Sequence, residues 1–422
     1  MEISDRIYPE SKMTTAVVDP PGPAAGLRFL EPYRRITSTG QFIPEIDGLR
    51  FIAIFSVYIF HLASDVYHRS SPGHSDSPAS NALYLLTSVL NVGVPLFFVI
   101  SGFILGLPFA EAHRNLRKPV SLKKYFLRRV TRLEPPYILC LLLFFIFKGV
   151  TTVGAATRLV PNLIASIFYM HNSIFGRESA INGVAWSLEV EVQFYILAPV
   201  LALAFAIPKA SIRRPALASL VLLATGLCKL VSSSQVLHLS LLAHAQYFLA
   251  GFIMAEVYLS DGARRRRHWL WDLISFGGWP LLLALLVRDP GGVWGAPSWL
   301  PWLLLLLTIA AFQGVVVNRF VTNPWIATVG GMCYTIYLLH VYIIVVVERV
   351  TEPIGGNAVF PLRLLIQCVL VSPILLTISA AYFRVIERPC MRPDWPWVKA
   401  AFPRVKSLCM ARVQTQVDDG IA

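Results

Sequence analysis

A histidine set among apolar residues and a carboxylate in a second apolar run are the groups in this chain best placed to do chemistry. His61 stands between Phe60 and Leu62, and Glu191 lies in the run AWSLEVEVQFY. A neutral imidazole can take a hydroxyl proton near pH 7, and a carboxylate against it would fix its tautomer and raise its basicity. Each residue also has a plainer reading: His61 as an interfacial hydrogen-bonding group and Glu191 as one end of a polar bond between helices. Glu189 and Glu191 are two apart and point to different sides of a helix, so one of them at most should face a shared pocket.

A second set is basic. In KKYFLRRVTRLEPPY, a short amphipathic helix ended by Pro135 and Pro136 would group Arg128 with Arg132, and Arg129 with Arg132. Guanidinium forks suit phosphate oxygens, so this face could be a socket for a phosphate-bearing soluble donor. Topology control or attraction to anionic lipid would use the same charges. Asp47 and Arg50 are spaced to pair or cap at the start of the first apolar run. Tyr334, Tyr337 and His340 recur every three residues and so share a helix face, where they could orient a substrate, tune the His61 pocket or bond across helices. Trp186 suits the aromatic belt at a membrane surface. Ser101 lies in VISGFIL without a G-x-S-x-G elbow, which argues against an acylated serine.

The elements that must position these residues are membrane-spanning helices. Of the 422 residues, 55% are hydrophobic and 14% charged, more apolar material than a soluble core could hide. Apolar runs fall near 45–64, 83–107, 135–150, 187–207, 215–231, 239–259, 269–287, 299–317, 325–347 and 361–384, so an all-α polytopic fold of about ten transmembrane helices is expected. Segments on the side of the termini carry 27 Lys and Arg against 5 on the other side, which places both termini in the cytoplasm. On that reading residues 1–42 are a disordered cytoplasmic tail, 43–390 the transmembrane domain and 391–422 a second cytoplasmic tail. His61 and Glu191 then lie roughly 4 and roughly 6 Å below the outer ends of their helices, a depth that permits contact.

Several function classes drop out. The net charge of +13 is scattered over loops, which cannot form a basic groove for nucleic acid. The six cysteines form no C-x-x-C pair and read as small hydrophobes; with no H-E-x-x-H and no ligand spacing at His68 and His74, no metal is expected. P-loop and dinucleotide fingerprints are missing. Ten helices with buried polar groups would also suit a transporter or flippase of a lipid-linked glycan, although no inverted repeat is visible.

The segments IPEIDGLRFIAIFSVYIFH (43–61), GVPLFFVISGFILG (93–106), FLRRVTRLEPPY (126–137), WSLEVEVQFY (186–195), GGMCYTIYLLH (330–340) and IERP (386–389) resemble, in that order, the membrane-bound acyltransferase 3 family. The resemblance implies a multi-pass protein of the bacterial inner membrane that uses cytoplasmic acetyl-CoA or another acyl-CoA to O-acylate a glycan or lipid-linked acceptor, without a metal. It implies that His61 is the family's essential histidine and Glu191 the glutamate of the W-S-L-x-x-E-x-x-F-Y pattern, with Arg128, Arg129 and Arg132 in the basic motif that holds the donor. Here L-E-P-P-Y stands where many members have R-I-x-P-x-Y, which sets Glu134 beside the basic site.

Overall fold

The computed structural model describes residues 25–36, 42–69, 77–151, 154–231, 234, 237–260, 267–289, 291–293, 295–354 and 358–392. The remaining parts of the two expected tails, 1–24, 37–41 and 393–422, lie outside the described residues. After a 3-10 helix at Ala25–Tyr33 come α1 (Pro44–Arg69), α2 (Pro78–Ser88), α3 (Gly93–His113), α4 (Leu122–Thr151), α5 (Ala155–Ile167) and α6 (His171–Phe175). The second half holds α7 (Trp186–Leu201), α8 (Ala210–Val231), α9 (Leu241–Leu259), α10 (Trp269–Arg288) and α11 (Leu300–Gln313). It ends with α12 (Val316–Val321), α13 (Pro324–Gly331), α14 (Cys333–Thr351), α15 (Phe360–Tyr382) and α16 (Arg388–Cys390).

Among the described residues nine helical stretches are long and apolar enough to cross a membrane, and the apolar α11 is shorter. Leu222, Leu223 and Leu230 on α8, Leu273 and Phe276 on α10, and Leu365 and Val369 on α15 are exposed, as lipid-facing side chains must be. The eighth expected run, 299–317, ends early because Asp272 accepts the backbone N–H groups of Val315, Val316 and Val317 at 2.9 to 3.0 Å. A carboxylate on those orphan donors starts a new helix, α12. The ninth run, 325–347, breaks at Met332, between α13 and α14.

Two further expectations need correcting. The basic stretch does not stop at Pro135 and Pro136: α4 runs through both. Each proline leaves the carbonyl four residues earlier without its helical donor, and α4 continues with two tyrosines bound along it, the Tyr334 and Tyr382 hydroxyls donating to the nearby Leu133 O (3.0 Å) and Pro136 O (2.6 Å). The tail expected over 1–42 contains the ordered segment 25–36. Leu30 is buried, and Arg388 donates to Arg34 O and Glu31 O at 3.2 and 3.3 Å.

Glycines set the spacing of the inner helices. A Cβ on Gly102 of α3 would stand 2.0 Å from Phe248 O of α9, and one on Gly251 of α9 would stand 2.2 Å from Val99 O of α3. The same holds where α13 crosses α1, at Gly330 against Asp47 O. Such contacts bring backbones together where lipid gives no hydrophobic drive. Gly102→Val and Gly251→Val should therefore each lower the detergent melting temperature sharply, since overpacking costs about 1–3 kcal/mol or more. Gly226→Ala and Gly277→Ala, with nothing within 4 Å of the added carbon, should leave it unchanged or raise it slightly. Equal melting of all four variants would refute the close-approach account.

Candidate active site

α1 carries polar groups at both ends, and each end builds a separate layer. At its start Asp47, 0% exposed, accepts from Arg50 at 2.9 Å and pairs with Arg35 at 3.3 Å through the same oxygen. Arg35 comes from the ordered segment before α1, which explains why that segment is held. Burial, reinforced by Arg50, holds the Arg35 guanidinium below its usual range, while Asp47 opposes this. The field of Arg132 reaches Arg35, Arg129, Cys333 and Glu387, so α4 supplies the same layer. Glu387 closes it from the π turn Phe383–Glu387, its Oε2 accepting from Thr335 at 2.5 Å. Four guanidiniums, Arg35, Arg50, Arg129 and Arg132, thus face a layer in which, among the described residues, Asp47 is the one carboxylate paired to any of them by contact. Such a surplus favours an anion.

The helical phase of α4 decides which arginines look inward. Tyr125, Pro136, Tyr137 and Cys140 are buried, and Arg129 and Arg132 lie on that stripe. The Arg129 guanidinium sits over the Tyr125 ring at 3.5 Å and the Tyr195 ring at 5.4 Å, and donates to Tyr125 O at 2.8 Å. The Arg132 Nε is buried without a partner. Arg128 is exposed. The expected grouping of Arg128 with Arg132 gives way to Arg129 with Arg132, because Tyr125, whose hydroxyl donates to Tyr195 O at 3.1 Å, fixes the rotation of the helix.

Midway along the bundle Glu191 accepts a hydrogen bond from Ser101 Oγ at 2.6 Å and stands close enough to Tyr195 to act on its hydroxyl. Glu189 turns the other way, as the two-residue spacing requires, and accepts from Asn172 N at 2.8 Å at the start of α6. No hydrogen bond joins Glu191 to His61 among the described residues. Similar depth does not give adjacency here: α1 packs on α13, α14, α3 and α15, whereas α7 packs on α3 and α9. Ser101, set aside on motif grounds, is therefore a neighbour of the site. Its placement in the run VISGFIL beside a close-packed glycine was the available signal.

Across helices, the His61 ring faces that of His340. Their ring centroids lie 5.1 Å apart. His340 is fully buried, and its Nδ1 faces Ile336 O at 3.1 Å and Tyr337 O at 2.8 Å. A carbonyl can only accept, so Nδ1 carries the proton and Nε2 presents a lone pair. That Nε2 is buried with no partner. Tyr337, 6.4 Å from the His340 ring, holds Ser187 Oγ at 3.1 Å and donates to Val184 O. Tyr334 is engaged with the α4 backbone, as described above, and Trp186 stacks near His244 and Phe98 at 5.4 and 6.5 Å. Two imidazoles near one another, with one lone pair fixed, can accept and hold a proton. Among the described residues no group of three His, Cys, Asp or Glu could hold a metal ion.

A family model described as an acyltransferase domain matches residues 43–384. The chain is 26% identical over 400 residues to O-acetyltransferase OatA of Staphylococcus aureus strain MRSA252, covering 87% of this chain and 60% of that one. It is 27% identical over 177 residues to peptidoglycan O-acetyltransferase OatA of Listeria monocytogenes, covering 39% and 25%. It is 26% identical over 337 residues to the putative O-acetyltransferase SACOL0978 of S. aureus strain COL, covering 72% and 51%. The chain thus spans three-fifths or less of the length of these relatives. No solved structure matches.

The Asp47 pairing generates a stability test. Asp47→Ala leaves two buried guanidiniums without their counter-charge, and breaking such a pair costs about 3–5 kcal/mol. The melting temperature in detergent should fall by many degrees, while Arg128→Ala, at an exposed position, should leave it where it was. A wild-type melting temperature for Asp47→Ala would contradict the account of this layer.

Proposed function

The chain belongs to the acyltransferase 3 family, and from that membership we propose that it is a membrane O-acyltransferase, most simply an O-acetyltransferase, moving an acyl group from cytoplasmic acyl-CoA to a hydroxyl of a glycan or lipid-linked saccharide. The observation that carries this reading is the separation of two polar layers along one bundle. Arg35, Arg50, Arg129 and Arg132 make an anion-favouring layer at the Asp47 end. His61 and His340 make a base layer at the other end of α1. Between them stands the chain Ser101–Glu191–Tyr195. On the charge asymmetry of the loops, the arginine layer faces the cytoplasm. The relative named a peptidoglycan O-acetyltransferase supports a saccharide acceptor.

The arginines bind the nucleotide phosphates of the donor, with Arg129 and Arg132 doing most and the exposed Arg128 aiding capture. The thioester arm extends between helices to the histidine layer. His61 takes the proton of the acceptor hydroxyl as its oxygen attacks the thioester carbonyl carbon. The carbon–sulfur bond breaks, and the CoA thiolate recovers the proton from His61. His340 acts through His61: its fixed Nε2 lone pair steadies the imidazolium while the proton resides there, the part first assigned to Glu191. Glu191 instead orders Ser101 and Tyr195 beside Arg129 and so keeps the path of the arm open.

Purified protein incubated with radiolabelled acetyl-CoA and bacterial cell-wall or lipid-linked glycan should yield label covalently attached to the glycan. His61→Ala should reduce the rate by about 10²–10⁴-fold at unchanged membrane abundance. Arg132→Ala should raise the KM for acetyl-CoA, and Arg128→Ala should raise it less. Full turnover in His61→Ala would remove the base assignment, and label that stays on acetyl-CoA with every glycan offered would sink the acyl-transfer reading.

A further inference from the structure

Among the described residues outside the candidate active site, two buried carboxylates are closed by contact-length bonds. Glu256, 1% exposed, accepts from Arg213 at both oxygens at 2.9 Å and pairs with Arg114 at 2.7 Å. Asp272 takes three backbone N–H groups. These sets hold helices together and have nothing left to offer a ligand.

Glu348 of α14 is different. It is 0% exposed and Arg363 of α15 is 2% exposed, yet they stand 3.7 Å apart, and Arg69 of α1 comes no nearer to Glu348 than 3.8 Å. Neither oxygen of Glu348 makes a contact-length hydrogen bond, although Asp65 acts on it from the lip, and Nε and Nη2 of Arg363 likewise make none, its Nη1 reaching Arg69 O at 3.4 Å. Leaving such groups buried and unmet costs far more than leaving a neutral pair unmet. Asp65, which holds Arg69 at 3.0 Å, completes the set, and these two side chains are 25% and 27% exposed. The cluster therefore has a closed floor, Glu348 and Arg363, and a partly open lip, Asp65 and Arg69.

Its register places it over the histidine pair. α1 and α14 both run away from the Asp47 layer, since Cys333 at the start of α14 feels Asp47 and Arg50 while Glu348 near its end meets Arg69. Asp65 and Arg69 lie four and eight residues past His61, and Glu348 lies eight past His340, so the cluster sits roughly 6 to 12 Å further along the same faces. Two carboxylates and two guanidiniums leave no formal net charge to draw an ionic ligand. The free carboxylate oxygens need hydroxyl donors, and the free guanidinium N–H groups need oxygen acceptors a few ångströms away. A ring bearing adjacent hydroxyls supplies both without a charge.

We propose that Asp65, Arg69, Glu348 and Arg363 form an acceptor subsite that grips neighbouring hydroxyls of a neutral sugar ring beside the His61–His340 pair. This rests on the acyl-transfer reading above and names the group that reads the acceptor.

The test is calorimetric titration of the purified full chain with a neutral N-acetylglucosamine tetrasaccharide, run beside transfer of label from acetyl-CoA to the same sugar. The wild type should bind the sugar, and Asp65→Asn, Arg69→Gln and Glu348→Gln should each raise Kd about tenfold or more, the loss of one charge-assisted hydrogen bond. The lip variants test the idea even if Glu348→Gln does not fold. The charge exchange Glu348→Arg with Arg363→Glu keeps an ion pair but reverses donors and acceptors, so binding should stay weak. Wild-type Kd in the exchanged protein or in the lip variants would show a purely structural cluster and overturn the proposal, as would a wild type that does not bind the sugar. Binding with the expected variant losses but no labelled sugar would support the subsite and overturn the acyl-transfer reading instead.

Discussion

Charge inside a bilayer has no water to lean on, and in this protein the consequence starts with Asp47. Its one engaged oxygen holds Arg50 within α1 and Arg35 from the segment before it. That pairing ties the segment AGLRFLEPYRRI (25–36) onto the bundle, and with it Leu30 and the carbonyls that Arg388 uses. The arginine layer exists because a carboxylate there makes a first guanidinium tolerable, and a first makes the next one costly unless an anion arrives. A site that is unsatisfied in the empty protein and satisfied by phosphate is what a donor socket requires.

Packing transmits this arrangement to the far end. Small residues let α3 and α9 touch backbone to backbone, and Gly330 does the same for α13 on α1. The break at Met332 then lets α14 follow its own line beside α1. Had α13 and α14 been one straight helix, the close approach at Gly330 would have set the position of His340 with no freedom to adjust. The short hinge decouples the two contacts, so a tight crossing at the Asp47 end coexists with a 5.1 Å imidazole pair at the other.

Much of this was legible in the residues. Apolar run lengths located most of the spans, though not the breaks in the eighth and ninth runs; the two-residue spacing of Glu189 and Glu191 separated their faces, and Asp47–Arg50 followed from helical spacing. What failed was inference across helices. Neither the exact depth of a residue nor which helix stands beside which is readable from run lengths, so Glu191 was assigned to His61 although it bonds Ser101 between the two layers and α14 occupies that flank. The rotation of α4 was misjudged for a similar reason: arginine spacing alone cannot tell that Tyr125 is the buried anchor. Pro135 and Pro136 misled because the tyrosines whose hydroxyls bind α4 beside them sit some 200 and 250 residues away in sequence. Glu348 and Arg363 drew no notice because each looked like an ordinary charge at a helix end.

The two-layer plan constrains the chemistry in a further way. Moving an acyl group from a thioester to a hydroxyl consumes no net proton, since the proton leaving the acceptor oxygen must end on the departing sulfur. A base that accepts the proton in one layer cannot return it to a thiolate held in the other. Arg50 and His61 are eleven residues apart on one helix, roughly 16 Å along the axis. The phosphates can therefore stay with the arginines only if a flexible arm of comparable length carries the thioester to the histidines. A donor lacking such an arm, with its acyl group close to its phosphates, could satisfy one layer or the other but not both. On the proposed reading, the spacing of the layers would select for a long-armed thioester over a compact acyl phosphate, by geometry before any contact with the acyl group itself.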